Sequence, residues 1–519
     1  VTGEPLVLAV DCSTTASKAV AFDARGREVA TASTPLDLDR PGPGRHEQDA
    51  EQWWTATLAS LARCVAALDD PGRVRALCVT HQRESFVCLD ADGRPLRPAI
   101  LWLDSRAGAE IAALGSPRVL AVSGKPPDTT PAIYKLAWLA RHEPQMLGAA
   151  ARVAEVHAFL AERLTGRWAT STGSADSLGL LDLAAAQWSP ELLAVAGVRP
   201  DQLPDLVPPG AVLGDLLPDV ARTIGLPAPV PLVAGIGDGQ AAGLGAGVVT
   251  GGEPGAAYLN LGTSMVLGTP SDRYVTGQAF RTLAGAPAGT YVLETVLNAA
   301  AYLADWFRRE LGDPALGGAP DPGLEAAAAA LPPGADGLLA VPYWNAAQTP
   351  YWDAAARGAV VGLTGAHTRA HVYRALLEGV AFELRLHLDG LAAAGTPVTS
   401  LRAMGGGSRS PLWAQVVADV TGRGLRLAEG REISARGAAA LAWAAVGGGA
   451  LADVCAAVGH LGATVTPRPD VTAAYDPVFG LQQQVYPRLR EVFSGLAALQ
   501  GGAQGTAQGS SLPPRSAGA

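Results

Sequence analysis

Two short passages, one in each half of the chain, repeat a single pattern. Leu6-Val7-Leu8-Ala9-Val10 leads into Asp11-Cys12-Ser13-Thr14-Thr15, and an apolar run resumes through Lys18-Ala19-Val20-Ala21-Phe22-Asp23. Ala257-Tyr258-Leu259-Asn260-Leu261 leads into Gly262-Thr263-Ser264, followed by Met265-Val266-Leu267-Gly268. Each reads as strand, hydroxyl-rich turn, strand. Two such turns facing each other from separate domains can grip one polyphosphate, which points to an ATP-using enzyme with a cleft.

A chain of 519 residues is too long for one core, and two large domains are the default. Lys and Arg total 39 against 48 for Asp and Glu, so no basic surface speaks for nucleic acid. No apolar run is long enough to span a bilayer, and Asp11 breaks the first strand too early for a secretory signal, so no membrane partner is expected. The five cysteines (Cys12, Cys64, Cys78, Cys88, Cys455) are odd in number and show no C-x-x-C spacing, which fits a reducing cytoplasm better than disulfides or zinc. The abundance of Ala, Arg, Gly and Pro reads as the mark of a GC-rich genome.

The first forty residues predict an antiparallel meander over 6–10, 18–22 and 28–32. Asp49 opens a helix with Trp53, Leu58, Leu61, Val65 and Leu68 at helical spacing. A buried strand over 74–80 delivers His81-Gln82-Arg83-Glu84, and the stretch from there to about 229 reads as mixed helix and loop. A further strand, 231–237, ends on Asp238. A boundary falls in 248–254, after which the meander restarts, with helices expected near 299–311, 371–392, 411–421 and 435–446. Meander, helix, strand, helix, once in each half, predicts an α/β fold of two duplicated ribonuclease-H-like domains of the actin/hexokinase type, with a catalytic cleft between them. The expected divisions are 1–247, 248–499 and a disordered tail over 500–519 rich in Gly, Ser and Gln.

Several motifs carry chemistry. Asp11, the hydroxyls of Ser13, Thr14 and Thr15, and Lys18 suit a phosphate cradle with a carboxylate near Mg²⁺; an ordinary hydroxyl-rich hairpin turn explains them equally well. Asp238, between Gly237 and Gly239, could take a proton from an attacking hydroxyl or serve as a helix N-cap. Gly405-Gly406-Gly407-Ser408 before Pro411 allows close approach of a flat or phosphorylated ligand, with Ser408 a possible cap; a flexible connection is the alternative. Arg83 and Glu84 could bind polyol hydroxyls or form a structural ion pair. Trp102 could face a sugar ring or fill the core. His367 and His371 are four apart, but His367 reads as preceding the helix, which argues against zinc.

Together these pieces resemble the FGGY carbohydrate kinases, the family that includes xylulokinases and glycerol kinases. The resemblance runs from Val7 to about Leu489, and its most specific part is Gly358-Ala359-Val360-Val361-Gly362-Leu363, seven residues, then His371-Val372-Tyr373-Arg374-Ala375-Leu376-Leu377-Glu378. It implies that Asp11 associates with Mg²⁺, with Asp238 also at the metal. It places Ser13, Thr14, Thr15 and Lys18 in a first phosphate loop, and Gly262, Thr263 and Ser264 in a second. Gly405, Gly406, Gly407 and Ser408 become the adenosine loop, with Glu432 in a neighbouring late motif. Asp238 becomes the catalytic base, and Gln82, Arg83, Glu84 and Trp102 bind the acceptor.

On acceptor identity the resemblance divides. Gln82-Arg83-Glu84 and Trp102 look like glycerol kinases, whereas Leu136-Ala137-Trp138-Leu139, Asn260–Ser264 and the 405–413 run look like xylulokinases. The loop where glycerol kinases place a tyrosine reads Pro126-Pro127-Asp128-Thr129-Thr130-Pro131. The expectation is therefore an ATP- and Mg²⁺-dependent kinase of a small sugar or polyol, D-xylulose first and glycerol or erythritol second, a cytoplasmic homodimer. A non-catalytic ATP and sugar sensor, and a chaperone or filament ATPase on the same duplicated fold, are the alternatives from other classes.

Overall fold

In the computed structural model, which describes residues 3–227 and 229–506, the first hairpin forms where Leu6–Cys12 (β1) pairs antiparallel with Ala16–Asp23 (β2), Asp11 opposite Lys18. The third strand, Glu28–Pro35 (β3), runs a little past its expected end. Asp49 caps the following helix Ala50–Ala66 (α1), its carboxylate accepting from the Glu51 amide. Val74–His81 (β4) joins β1 in parallel, Val212–Asp215 is β5, and Pro231–Val233 (β6) joins β4 in parallel. The order of the six-stranded sheet is β5-β6-β4-β1-β2-β3.

After the helix Asp238–Gly245 (α2) the plan repeats. Ala256–Leu261 (β7) and Met265–Ser271 (β8) form a second hairpin, with Arg281–Ala284 (β9) and Tyr291–Leu297 (β10) beyond it. Ser400–Met404 (β11) and Gly424–Ala428 (β12) add in parallel on the other side of β7, and Leu461–Val465 (β13) closes the edge. The order is β9-β10-β8-β7-β11-β12-β13. Stripped of its edges, each sheet has three antiparallel strands continued by two parallel ones, the same arrangement twice. This is the two-domain actin-like fold that the duplicated pattern predicts.

Each lobe has its own core. Leu8, Val10, Trp53 and Phe159 are among the buried residues of the first, and Leu259, Leu267, Leu377 and Trp413 of the second. The helix Ile433–Gly447 (α3) comes late in the chain yet covers the first sheet, where Ala435, Ala439 and Leu441 join Val7, Ala9 and Cys78 in one buried cluster. It crosses α2 almost backbone to backbone: a Cβ on Gly437 would lie 1.8 Å from the Ala241 carbonyl oxygen, and one on Gly245 2.0 Å from that of Ile433.

The segment expected to be mixed helix and loop also supplies three strands of a four-stranded sheet, Ala99–Ile100, Phe86–Leu89 and Arg152–Glu155, with Glu47–Gln48 as the fourth from before it. Its strands are too short to show a period in the sequence. The last helix, Pro469–Thr506, extends past residue 500, so the start of the expected disordered tail is helical; 507–519 lie outside the described residues. No helix among the described residues is long and apolar enough to cross a membrane.

Candidate functional site

The parallel strands fix what meets in the cleft. In the β1–β4 register Asp11 sits opposite Thr80 and Cys12 opposite His81, so Asp11 and the Gln82-Arg83-Glu84 segment emerge at the same sheet edge. His81 bridges to Gly237 in parallel, which brings Asp238 out beside them. Ligands in α/β folds collect beyond the carboxyl ends of parallel strands.

Asp238 is the first residue of α2, and Gly237 occupies the N-cap position, so Asp238 is not the cap itself. Its Oδ1 accepts from the Gly239 amide at 2.8 Å and lies 3.2 Å from Arg83 Nε. A Cβ on Gly237 would lie 2.5 Å from Arg83 Cδ, and one on Gly239 2.9 Å from Arg83 Nη2. The two glycines therefore make room for Arg83 to lie across the start of the helix. Burial pushes the Asp238 carboxyl above its usual value while Arg83 and His81 pull it down. The side chain is 40 % exposed, so water in the cleft moderates that shift.

Arg83 reaches on into the second lobe. Its Nη1 lies 3.1 Å from both carboxylate oxygens of Glu294 on β10. Glu294 also accepts from Arg281 Nε at 2.8 Å, Arg281 Nη2 at 2.6 Å and the Tyr258 hydroxyl at 2.8 Å. Burial alone would raise the Glu294 carboxyl, but Arg83 and Arg281 outweigh it and hold it at about 2. Arg281 Nη1 donates to Glu84 Oε1 at 2.8 Å. Glu84 itself adopts the left-handed backbone region at φ 59°, unusual for a residue with a side chain. Arg83 and Glu84 thus form ion pairs, though with the second lobe and Asp238 rather than with each other.

The residues of the first hydroxyl turn part company. Ser13 Oγ closes its own turn onto the Ala16 carbonyl at 2.9 Å, and Ser17 Oγ is buried against Thr57. Thr14 Oγ1 receives the Trp102 indole N–H at 2.9 Å and donates to Gln82 Oε1 at 3.0 Å. Thr14, Gln82 and Trp102 therefore form one wall, with Ser85 Oγ also donating to Gln82 at 3.1 Å. Thr15 is exposed. Lys18 Nζ pairs with Glu432 of the second lobe at 2.6 Å.

Asp11 faces a cavity of about 390 Å³ whose walls include Asn260, Gly405, Gly406, Ser408 and Glu432. Its Oδ1 is buried with no hydrogen-bond partner among the described residues. Burial, reinforced by Asp238, raises its carboxyl to about 7. A carboxyl group at the wall of a polar cavity, with an oxygen left unpaired, suits a hard cation. Among the described residues no group of three or more His, Cys, Asp or Glu could hold a metal, so such a cation would need ligand or water oxygens as well. The pair His367 and His371 is accounted for by the start of the helix Arg369–Ala393: each ring accepts from the backbone amide three residues before it.

The second hydroxyl turn, 262–264, sits at the head of the helix Ala301–Glu310; the carbonyls of Gly262 and Thr263 accept from Ala301 and Ala300, and the Thr263 side chain is exposed. In the glycine run, Gly405 has φ 88° and a Cβ there would lie 2.5 Å from Asn260 Oδ1. A Cβ on Gly407 would meet Trp413 at 2.6 Å, while one on Gly406 would meet nothing within 4 Å. The cap of helix Pro411–Thr421 is Ser410, not Ser408, whose hydroxyl donates back to the Gly405 carbonyl at 2.8 Å. A short turn over Gly407–Arg409 intervenes and moves the cap two residues on.

Sequence reasoning missed Glu294, Arg281 and Lys135. Lys135 Nζ is buried and donates to the carbonyls of Leu101, Trp102 and Thr130, tying the Trp102 segment to the 126–131 loop. Burial lowers it to about 8. The available signal was a lone charge inside an apolar strand: Arg281 in Phe280-Arg281-Thr282-Leu283, Glu294 in Val292-Leu293-Glu294-Thr295-Val296.

Comparison with known families decides what this arrangement is. Residues 6–245 match the model for the N-terminal domain of the FGGY family of carbohydrate kinases, and 257–446 match its C-terminal domain. The chain belongs to the FGGY family of carbohydrate kinases. It is 34 % identical over 448 residues to the xylulose kinase of Escherichia coli K12, covering 84 % of this chain and 89 % of that protein. It is 28 % identical over 453 residues to the gluconokinase of Bacillus subtilis, covering 85 % and 88 %. The crystal structure of xylulose kinase from Rhodospirillum rubrum superposes with a TM-score of 0.86 at 32 % identity, covering 94 % of this chain and 99 % of that one. The chain is thus a sugar phosphotransferase, and membership of a kinase family implies ATP as the phosphoryl donor. Within this FGGY kinase the long signature ends inside a packed core. Its Glu378 is buried in the second lobe, bonded to Arg374 and Tyr475, so it marks the family through packing.

Proposed function

We propose that this kinase transfers the γ-phosphoryl group of Mg·ATP to a hydroxyl of D-xylulose or a closely similar pentulose. Asp238 is the base that orients and deprotonates the attacking hydroxyl. The observation that carries this reading is the placing of Asp238 at the sheet edge beside Asp11, with Arg83 on one of its oxygens. Asp11 would hold Mg²⁺, directly or through water; the ion would neutralise charge on the phosphates. The cavity walled by Gly405, Gly406 and Ser408 takes the adenosine side of the nucleotide. Thr15, the 262–264 turn and Lys18, once freed from Glu432, serve the phosphates. The wall of Thr14, Gln82 and Trp102, with Glu84, faces the acceptor.

Xylulose ranks first because the relative at 34 % identity and the structure at 32 % both carry that name. Glycerol or erythritol is the second reading, favoured by the Arg83-Glu84 pair and Trp102. An ADP-release assay over xylulose, ribulose, erythritol, glycerol, ribitol and gluconate decides between them. Xylulose is expected to give the highest kcat/KM, and no stimulation by any of them would overturn the acceptor class.

The halves divide at 247/248, a reading supported by the end of α2 at Gly245 and the start of the second sheet at Ala256. Five buried cysteines, none in a disulfide, support a cytoplasmic setting. Exposed Leu481, Val492, Leu496 and Leu499 on the last helix support a homodimer, which sedimentation would test.

A further inference from the structure

We propose that Glu294, from the second lobe, is a positioning residue for phosphoryl transfer: it holds the Arg83 guanidinium so that Arg83 in turn fixes the Asp238 carboxylate. This rests on the reading of Asp238 as the base.

The geometry is a chain with one anchored end. Glu294 is completely buried and takes contacts from Arg83, from two nitrogens of Arg281 and from the Tyr258 hydroxyl. Tyr258 and Arg281 come from one row across the second sheet, while Arg83 reaches in from the first lobe. Tyr258 pairs with Gly268, Gly268 with Glu294, and Glu294 with Arg281. Gly268 is part of the device, since a Cβ there would lie 2.4 Å from the Tyr258 hydroxyl. Its bare backbone lets the tyrosine ring cross β8 and reach Glu294. Asp238, at the other end, is partly exposed, and among the described residues its Oδ1 is met by just the Gly239 amide and Arg83 Nε.

A guanidinium is planar, so fixing Nη1 fixes the direction of Nε. Glu294 thereby sets where the Asp238 oxygens lie, and does so from the opposite lobe. Reacting groups displaced by about 1 Å can lose on the order of 100-fold in rate.

The test uses the full chain, Mg·ATP and the best acceptor of the panel above, with rates normalised to nucleotide-binding sites so that misfolded protein does not count. Glu294→Gln is expected to lower kcat about 100-fold with acceptor and ATP KM changed less than about threefold, and Glu294→Asp to recover part of the loss. Tyr258→Phe removes one anchor with little disturbance and is expected to lower kcat about threefold with Tm near that of the parent. A Glu294→Gln enzyme with kcat within about twofold of the parent overturns the inference; if that variant does not fold, a parental kcat in Tyr258→Phe does so instead. Asp238→Asn is measured alongside: full activity there refutes the base assignment, whereas a dead Asp238→Asn beside a normal Glu294→Gln refutes only the role of Glu294.

Discussion

Arg83 and Glu294 meet across the cleft, one guanidinium nitrogen lying 3.1 Å from both carboxylate oxygens. A residue at the end of a first-lobe strand is therefore partnered by a residue inside a second-lobe strand. The acceptor side of the cleft belongs to both domains, and its polar groups are already paired among themselves.

Replacing Asp238 by Asn removes the proton acceptor while keeping the shape. The expected outcome is a fall in kcat of about 100-fold or more, with ATP affinity unchanged by calorimetry. Parental activity would remove Asp238 from the chemistry.

Arg83→Ala does more than weaken acceptor binding. It strips Glu294 of one of its two cations and leaves Asp238 without its guanidinium. Breaking a buried pair by removing one partner costs about 3–5 kcal/mol, so a clear drop in Tm should accompany the loss of kcat/KM. A variant with parental Tm and only a raised acceptor KM would show that Arg83 is not structurally committed to Glu294.

The glycine run separates packing from ligand approach. Gly405→Ala places a Cβ 2.5 Å from Asn260 Oδ1 at φ 88°, and should cost about 2 kcal/mol or more in urea unfolding. Gly406 has φ −61° and open space around the added methyl, so Gly406→Ala should unfold like the parent yet raise the KM for ATP. Equal effects of the two substitutions on stability would contradict this division.

His157 links acidity to stability. It is buried, its Nε2 accepts from the Gly235 amide at 3.1 Å, and burial together with neighbouring His81 lowers its pKa from 6.5 to about 3. Thr170 Oγ1 lies against its other nitrogen, and Glu155 bonds that hydroxyl. The unfolded chain takes up the proton first. The group's contribution is thus intact above pH 6.5 and is lost as pH falls toward 3, at up to about 1.4 kcal/mol per unit. Urea unfolding between pH 7 and 4.5 should show a shallower loss in His157→Gln than in the parent; parallel slopes would exclude His157 as a contributor.

Much of this was legible in the residues, and the reasons are specific. The two hairpins announced themselves because strand, hydroxyl turn and strand are contiguous, and Asp49 was legible as a cap because capping is local. Asp11 and Asp238 stood out as carboxylates at the ends of apolar strands. Glu294 and Arg281 did not, because the first-lobe partners that draw them into the cleft, Arg83 and Glu84, lie about 200 residues away and leave no spacing to read. Ser408 reads as a possible cap from sequence alone, but a short turn moves the cap to Ser410. The destinations of Thr14 and Lys18 depend on Trp102 and Glu432, which only the tertiary fold brings near.

The alanines and glycines of α3, which composition alone assigns to codon bias, have a mechanical meaning where that helix crosses α2. With Gly437 seated on the Ala241 carbonyl and Gly245 on that of Ile433, no side chain separates the two rods. Contact that tight leaves no slack: a single methyl added at either glycine would force the two helices apart, and with them the late helix from the sheet it covers.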